Sequence, residues 1–162
     1  MKYYKTILSL IVIAASVINI FNGCGYNMGE IYEMESAIAE SNDTFDLEKR
    51  SEVIEDNIYE GEYKLDGYGL IWSYVSEEDK DINVPYHLNV ISGKAKLVLI
   101  TDDNTVTTLV ENDSNSAIQD ETLEVHIKKG TNRIKIVGYK ANINISLNID
   151  DGDFTTIGVN KE

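Results

Sequence analysis

Cysteine, proline, tryptophan, histidine and positive charge are all scarce in this chain of 162 residues, and each shortage excludes something. A single cysteine rules out an internal disulfide framework and a zinc site built from several thiolates. Lys plus Arg number 14 against 28 Asp plus Glu, a formal charge of −14. Phosphate contacts need a basic face, so no nucleic-acid partner is expected. The two histidines, His87 and His126, fall on the polar faces of alternating segments. No spacing joins them to an acid or nucleophile in a metal site or triad. The glycines form no phosphate loop between a strand and a helix, since GYGL at 67–70 lacks that context. Neither G-x-S-x-G nor S-x-x-K occurs. A glycosidase pair could be drawn from so many acids, but a domain of about 100 residues leaves little room for a cleft. The expectation is a protein that is not an enzyme and carries no cofactor.

Long apolar runs are also missing, for none reaches the roughly 20 residues of a membrane span. The run ILSLIVIAASVI at 7–18 follows Lys2 and Lys5 and has the length of the apolar region of an export signal. Asn19, Asn22 and Gly23 close it, immediately before Cys24 in INIFNGCGYN. A basic start, an apolar core and a small residue before the only cysteine resemble the signal peptide and lipobox of bacterial lipoproteins, here FNGC at 21–24. The resemblance implies that the Cys24 thiol takes a diacylglyceryl group, as in palmitate-bearing anchors. Residues 1–23 are then removed, and the protein is held on the outer face of the cell membrane. Gly23 suits the small residue the signal peptidase requires, whereas Phe21 and Asn22 depart from the usual aliphatic and small or hydroxyl residues. An uncleaved anchor with a buried Cys24 and ordinary secretion are the alternatives. Two acyl chains hold a soluble domain stably where one binds only marginally. Abundant Ile, Asn and Tyr, with their AT-rich codons, suggest a low-GC Gram-positive source. Cleavage at Cys24 removes two lysines and leaves a net charge of −16, which resists anionic lipid and wall polymers over a screening length of roughly 8–10 Å.

Residues 25–57 hold ten acids against Lys49 and Arg50. Ile31, Met34 and Ile38 recur at helical spacing, and a second amphipathic candidate starts after Thr44 and runs through Leu47, Val53 and Ile54. This predicts an acidic tether over 24–57, partly helical or disordered, that holds a domain over 58–162 clear of the bilayer. From Ile58 the period changes to 2. Ile82, Val84, Tyr86, Leu88 and Val90 alternate with polar residues, and KAKLVLIT at 94–101, apolar on both faces, should be a central buried strand. Ser92-Gly93 reads as a hairpin loop between them, and Asp102-Asp103-Asn104 as the next turn. Pro85 implies an edge or a bulge. Further strands are expected at 58–64, 68–74, 105–110, around Leu123, Val125 and Ile127, at 133–140 and at 143–149. Seven or eight short strands with regular turns predict an all-β antiparallel sandwich, jelly-roll-like. The arrangement looks like that of small lipid-anchored proteins with one such sandwich. The ending KKGTNRIKIVGYKANINISLNI is similar to the final hairpin of sandwich modules, carbohydrate-binding modules among them.

The ligand candidates are few. Trp72 with Tyr63, Tyr68, Tyr74 and Tyr86 could stack on sugar rings, although Leu70, Trp72 and Tyr74 share one strand face, where a lone Trp is most often core. Asn148, Asp150, Asp151 and Asp153, and separately Asp102, Asp103 and Asn104, offer oxygens of the kind calcium uses without the spacing of a known loop. Turn chemistry alone accounts for both groups. The expected function is a membrane-anchored lipoprotein with a non-catalytic binding or interaction domain for an envelope protein. A module for cell-wall or environmental polysaccharide is the alternative, and a small hydrolase a third.

Overall fold

The computed structural model describes residues 27–158; the export-signal segment and Cys24 lie outside the described residues. Two short helices, α1 (Met28–Glu33) and α2 (Glu35–Ile38), precede seven strands. These are β1 (Thr44–Glu55), β2 (Ile58–Ser76), β3 (Lys80–Ile100), β4 (Val106–Asp113), β5 (Gln119–Ile127), β6 (Gly130–Asn148) and β7 (Asp153–Phe154). All pairings are antiparallel, in the order β1-β2-β6-β3-β4, with β5 also on β3 and β7 also on β2. The all-β sandwich-like class expected from the alternation is what the chain adopts.

The count of seven agrees with the expectation, but the strands are longer and divided differently, for a physical reason. Three positions that read as reversals are bends inside continuous strands. Segments 58–64 and 68–74 are both β2, 82–90 and 94–101 fall on β3, and 133–140 and 143–149 on β6. The register slips at Leu65/Gly67 in β2, and at Val90/Ser92 and Ser92/Lys94 in β3. Positive φ accompanies the bends at Gly67 (122°), Gly93 (73°) and Lys140 (48°). One residue of positive φ in one strand of a ladder makes a bulge, which turns the strand without reversing it. A Cβ on Gly67 would lie 2.1 Å from the Thr44 carbonyl oxygen, so only glycine fits there.

The bends fold one broad sheet over on itself, as strands that pass from layer to layer do in sandwiches. One layer holds β1, the first half of β2, the second half of β6, the first half of β3, and β5. The other holds β7 and β4 with the remaining halves of β2, β6 and β3. Inward side chains of both layers, among them Tyr59, Trp72, Leu88, Leu97, Ile136 and Leu147, make one core. Phe154 of β7 stacks on Tyr59 of β2 at 5.4 Å between ring centres, across the fold. Ala95, Leu97, Val98, Leu99 and Ile100 are all buried, as expected for a central segment. Pro85 lies just outside the β6 ladder, which starts at Tyr86, and has only β5 beside it; a missing N–H is tolerated at such a margin.

The expected tether is instead part of the fold. Ile31, Tyr32 and Ile38 are buried against Tyr68, Val98, Ile100 and Val137 on the outer face of the second layer. That face is apolar, and the two helices are what covers it. Met34 of the expected stripe is exposed, because the chain leaves helical geometry there (φ −90°, ψ 89°). Residues 44–55, expected to be helical, pair along β2 from Thr44↔Tyr68 to Glu55↔Ile58. The unpaired N–H and C=O groups along the β2 edge decide this, since a ladder satisfies them and a helix would not. Within the described residues the folded unit thus begins before Ile58, at α1.

Candidate functional site

The outer edge of β3 is shared: β5 pairs with Lys80 through Leu88, and β4 with Lys94 through Ile100. These partners belong to different layers and part toward the strand ends, leaving a groove of about 670 Å³. Leu99 and Leu109 form its apolar floor, and Thr101, Thr105, Thr107 and Thr108 supply hydroxyls. Asp79, Asp103, Glu124 and His126 are among the charged and polar groups of the rim. A second depression of about 770 Å³ lies on the other side of turn 101–105, with Ser36, Ser41, Asn104, Thr131 and Arg133 on its walls.

The rim is preorganised by local bonds. The Asp79 carboxylate accepts from the Lys129 N–H at 2.8 Å and from Lys128 Nζ at 2.9 Å. These bonds, the backbone one foremost, hold it below the usual Asp range. Asp103 accepts from the Thr101 hydroxyl at 2.7 Å and the Thr105 N–H at 3.1 Å and is lowered likewise, chiefly by Thr101. His126 Nδ1 sits 2.6 Å from Asp81 Oδ1. Both side chains are more than half exposed. Lys128 and Lys129 line the same groove, so ionised groups of both signs, hydroxyls and an apolar floor make it a mixed polar surface.

The residues singled out from the sequence separate clearly. Tyr63, Tyr68, Trp72 and Tyr86 are buried. Trp72 is core, with its indole N–H donating to the Asp151 carbonyl at 2.8 Å. Tyr74 is half-buried, with the Lys80 ammonium 4.7 Å from its ring centre. These five rings form no sugar-stacking platform. His87, 4.0 Å from Asp120, is on β3, six ladder positions from the Asp81–His126 pair, and the two histidines do not meet. Around Gly152 three of the oxygen-bearing side chains are taken up by protein donors. Asn148 and Asp150 both accept from Asn57 Nδ2 at 2.6 Å, while Asp151 binds Lys80 at 2.7 Å. In the other turn, Asp102 accepts from the Thr131 N–H and Asn104 from Arg133. Among the described residues no three His, Cys, Asp or Glu side chains are placed to hold a metal.

Two polar clusters carry no signal in the sequence. Lys135 is fully buried, donating to the Glu40 and Asn42 carbonyls at 2.7 and 3.0 Å. It lies 3.7 Å from Asp43 Oδ1 and 4.6 Å from the Tyr68 ring centre. Burial pushes its ammonium down to about 8, against the opposing pull of Asp43. Arg133 beside it donates to the Ala39 carbonyl at 2.9 Å, so the two cations clasp segment 39–43 to β6. In the second cluster Glu52 Oε1 accepts from Tyr59, Tyr63 and the Ile157 N–H at 2.8, 2.7 and 2.9 Å. Arg50 pairs with its other oxygen. In the period-2 pattern Arg133 and Lys135 read as solvent-facing, and only the helices that cover the face reverse that. Both clusters fasten chain segments; the first also contributes Ala39, Glu40 and Arg133 to the wall of the second depression, and the Glu52 cluster adjoins neither depression. Comparison with protein-family models, curated proteins and solved structures yields no match.

Proposed function

We propose that this chain is a membrane-anchored extracytoplasmic lipoprotein whose all-β domain is a non-catalytic binding or interaction module. The observation that carries the reading is FNGC at 21–24 behind a basic start and an uncharged apolar run at 7–18. The domain supports it from the other side. Its polar groove, with Leu99 and Leu109 beneath Thr hydroxyls and ionised Asp79 and Asp103, has the make-up of a docking surface. The proposed partner is an envelope protein, docking through a surface of mixed charge and hydroxyl groups.

The test is intact-mass and N-terminal peptide spectrometry of the protein from the membrane fraction of an expressing Gram-positive host. The expected mature chain starts at Cys24 with a diacylglyceryl thioether, and Cys24→Ala leaves an unprocessed chain of full length. A free thiol at Cys24 in the membrane-derived protein overturns the reading.

A further inference from the structure

We infer that the bent end of the sandwich, where the chain enters the fold, lies directly against the lipid headgroups. This rests on the proposed lipidation of Cys24. The described fold begins at Asn27, whose side chain caps α1 by accepting from the Gly29 N–H at 3.2 Å. Only Gly25 and Tyr26 separate Cys24 from Asn27, and the three Cα–Cα steps reach about 11 Å even fully extended. The entry point therefore cannot stand far from the bilayer.

That entry point is at the bend. A Cβ on Gly29 would meet the Tyr139 ring at 3.3 Å, and Tyr139 adjoins Lys140, the positive-φ residue of the β6 bend. From there the helices run over the outer face of the second layer to Glu40, which meets Arg133 and Lys135 near the opposite end. All three long strands turn at the end where Asn27 sits. The strand tips, with both depressions at turn 101–105, lie roughly 20–30 Å away along the strands.

Charge is distributed to match. Lys64, Lys94, Lys96 and Lys140 gather at the bend, where Lys94 pairs with Glu33 at 2.7 Å and Lys64 approaches Glu48 at 3.5 Å. Asp46, Asp66, Glu111 and Asp113 lie at the same bend, so this surface is mildly acidic and does not itself attract anionic headgroups. Ile91, 54% exposed, adds an apolar contact in the same bend. The tips carry the acid excess, with Glu77, Glu78, Asp79, Asp102, Asp103 and Asp150 all in their turns. A screening length of roughly 8–10 Å keeps those acids from feeling headgroups across the height of the domain. The anchor supplies the affinity and the bend sets the orientation, which presents the groove to the cell exterior.

The experiment uses the acylated protein reconstituted in phosphatidylcholine–phosphatidylglycerol vesicles that contain a headgroup-nitroxide lipid. Ser92→Cys at the bend and Glu77→Cys at the tips, both exposed sites, each carry a thiol-reactive fluorophore, with Lys64→Cys as a second bend position. The nitroxide should quench the bend labels several-fold more than the Glu77 label. A Gly-Ser insert of about ten residues before Asn27, about 17 Å in root-mean-square length, should lower the bend quenching toward the tip value. Equal quenching at bend and tip, or stronger quenching at the tip, overturns the orientation, as does bend quenching unchanged by the insert. Labelling of the parent chain, whose only thiol is Cys24, would instead report that Cys24 is not acylated and that the lipoprotein reading fails.

Discussion

Raising the pH from 8 toward 10 should stabilise the folded domain, because Lys135 holds its proton less tightly in the native state than in the unfolded chain. Burial lowers the group from 10.5 to about 8, and its side chain is fully buried, so solvent screening does little to reduce the effect. Between those two values the unfolded chain keeps a proton that the folded chain has released, and stability rises with pH wherever the unfolded state binds more protons. At 1.36 kcal/mol for each pH unit the whole displacement corresponds to about 3 kcal/mol. The groups facing Lys135 are the carbonyls of Glu40 and Asn42, the Asp43 carboxylate and the Tyr68 ring. Arg133 is the neighbouring cation that adds to the lowering. Above pH 10 the sign reverses. Tyr32 and Tyr59 are raised well above the usual tyrosine value, chiefly by burial and then by Glu111 and Glu52. Folded tyrosines then keep protons that unfolded ones lose, and stability falls. Urea unfolding of residues 25–162 at several pH values between 7 and 11 should show a maximum near pH 10. The slope below it should vanish in Lys135→Met. If wild type and variant share the same slope between pH 8 and 10, the assignment to Lys135 is refuted.

Trp72 should fluoresce with the blue-shifted emission of a buried indole and resist quenching by iodide, and Trp72→Ala should cost about 3–5 kcal/mol in chemical denaturation; red-shifted, readily quenched emission would place the ring in solvent. Gly67→Ala should lose about 1–3 kcal/mol from backbone conformation alone, with the contact to the Thr44 carbonyl in addition, and an unchanged urea midpoint would show that the β2 bend tolerates a side chain. Glu52→Ala removes the acceptor shared by Tyr59, Tyr63 and the Ile157 N–H. The expected cost is about 2–4 kcal/mol, with faster proteolysis near Ile157, and a cut pattern identical to wild type would remove Glu52 from its role in fastening the C-terminal segment.

Much of the class was legible locally. The alternation of Ile82 through Val90 and of Ile143 through Ile149 meets the core as period 2 requires, with every one of those apolar residues except Ile82 buried. Segment 94–101 read as buried on both faces, and Ala95 through Ile100 are, between the opposite layer and the two helices, while Lys94 and Thr101 at its ends are partly exposed. Trp72 belongs to the core, as expected of a lone Trp on a strand, while the register shift between Leu70 and Trp72 leaves Leu70 outside that cluster. The bends were not legible as bends. Ser92-Gly93 and the residues around Gly67 and Lys140 have the composition of turns, and a positive φ serves a reversal or a bulge equally well. Which one forms depends on whether the strands before and after it share a partner, and here β6 runs alongside both halves of β2 and both halves of β3.

By itself the sequence determined the strand-forming segments from Ile58 onward, which of their faces is apolar, the acidic balance, and the basic-apolar-Gly-Cys run ahead of the domain. These are properties of neighbouring residues and need no knowledge of what lies across the fold. Only the tertiary structure decided that residues 44–55 complete the sheet and that α1 and α2 lie on it. It also decided that Lys135 and Glu52 are buried and that β4 and β5 part to open a groove. Each of those follows from contacts between residues far apart in the chain. An unpaired strand edge or an uncovered apolar face selects its partner by the backbone groups and area left exposed to water, whatever the local pattern of that partner suggests.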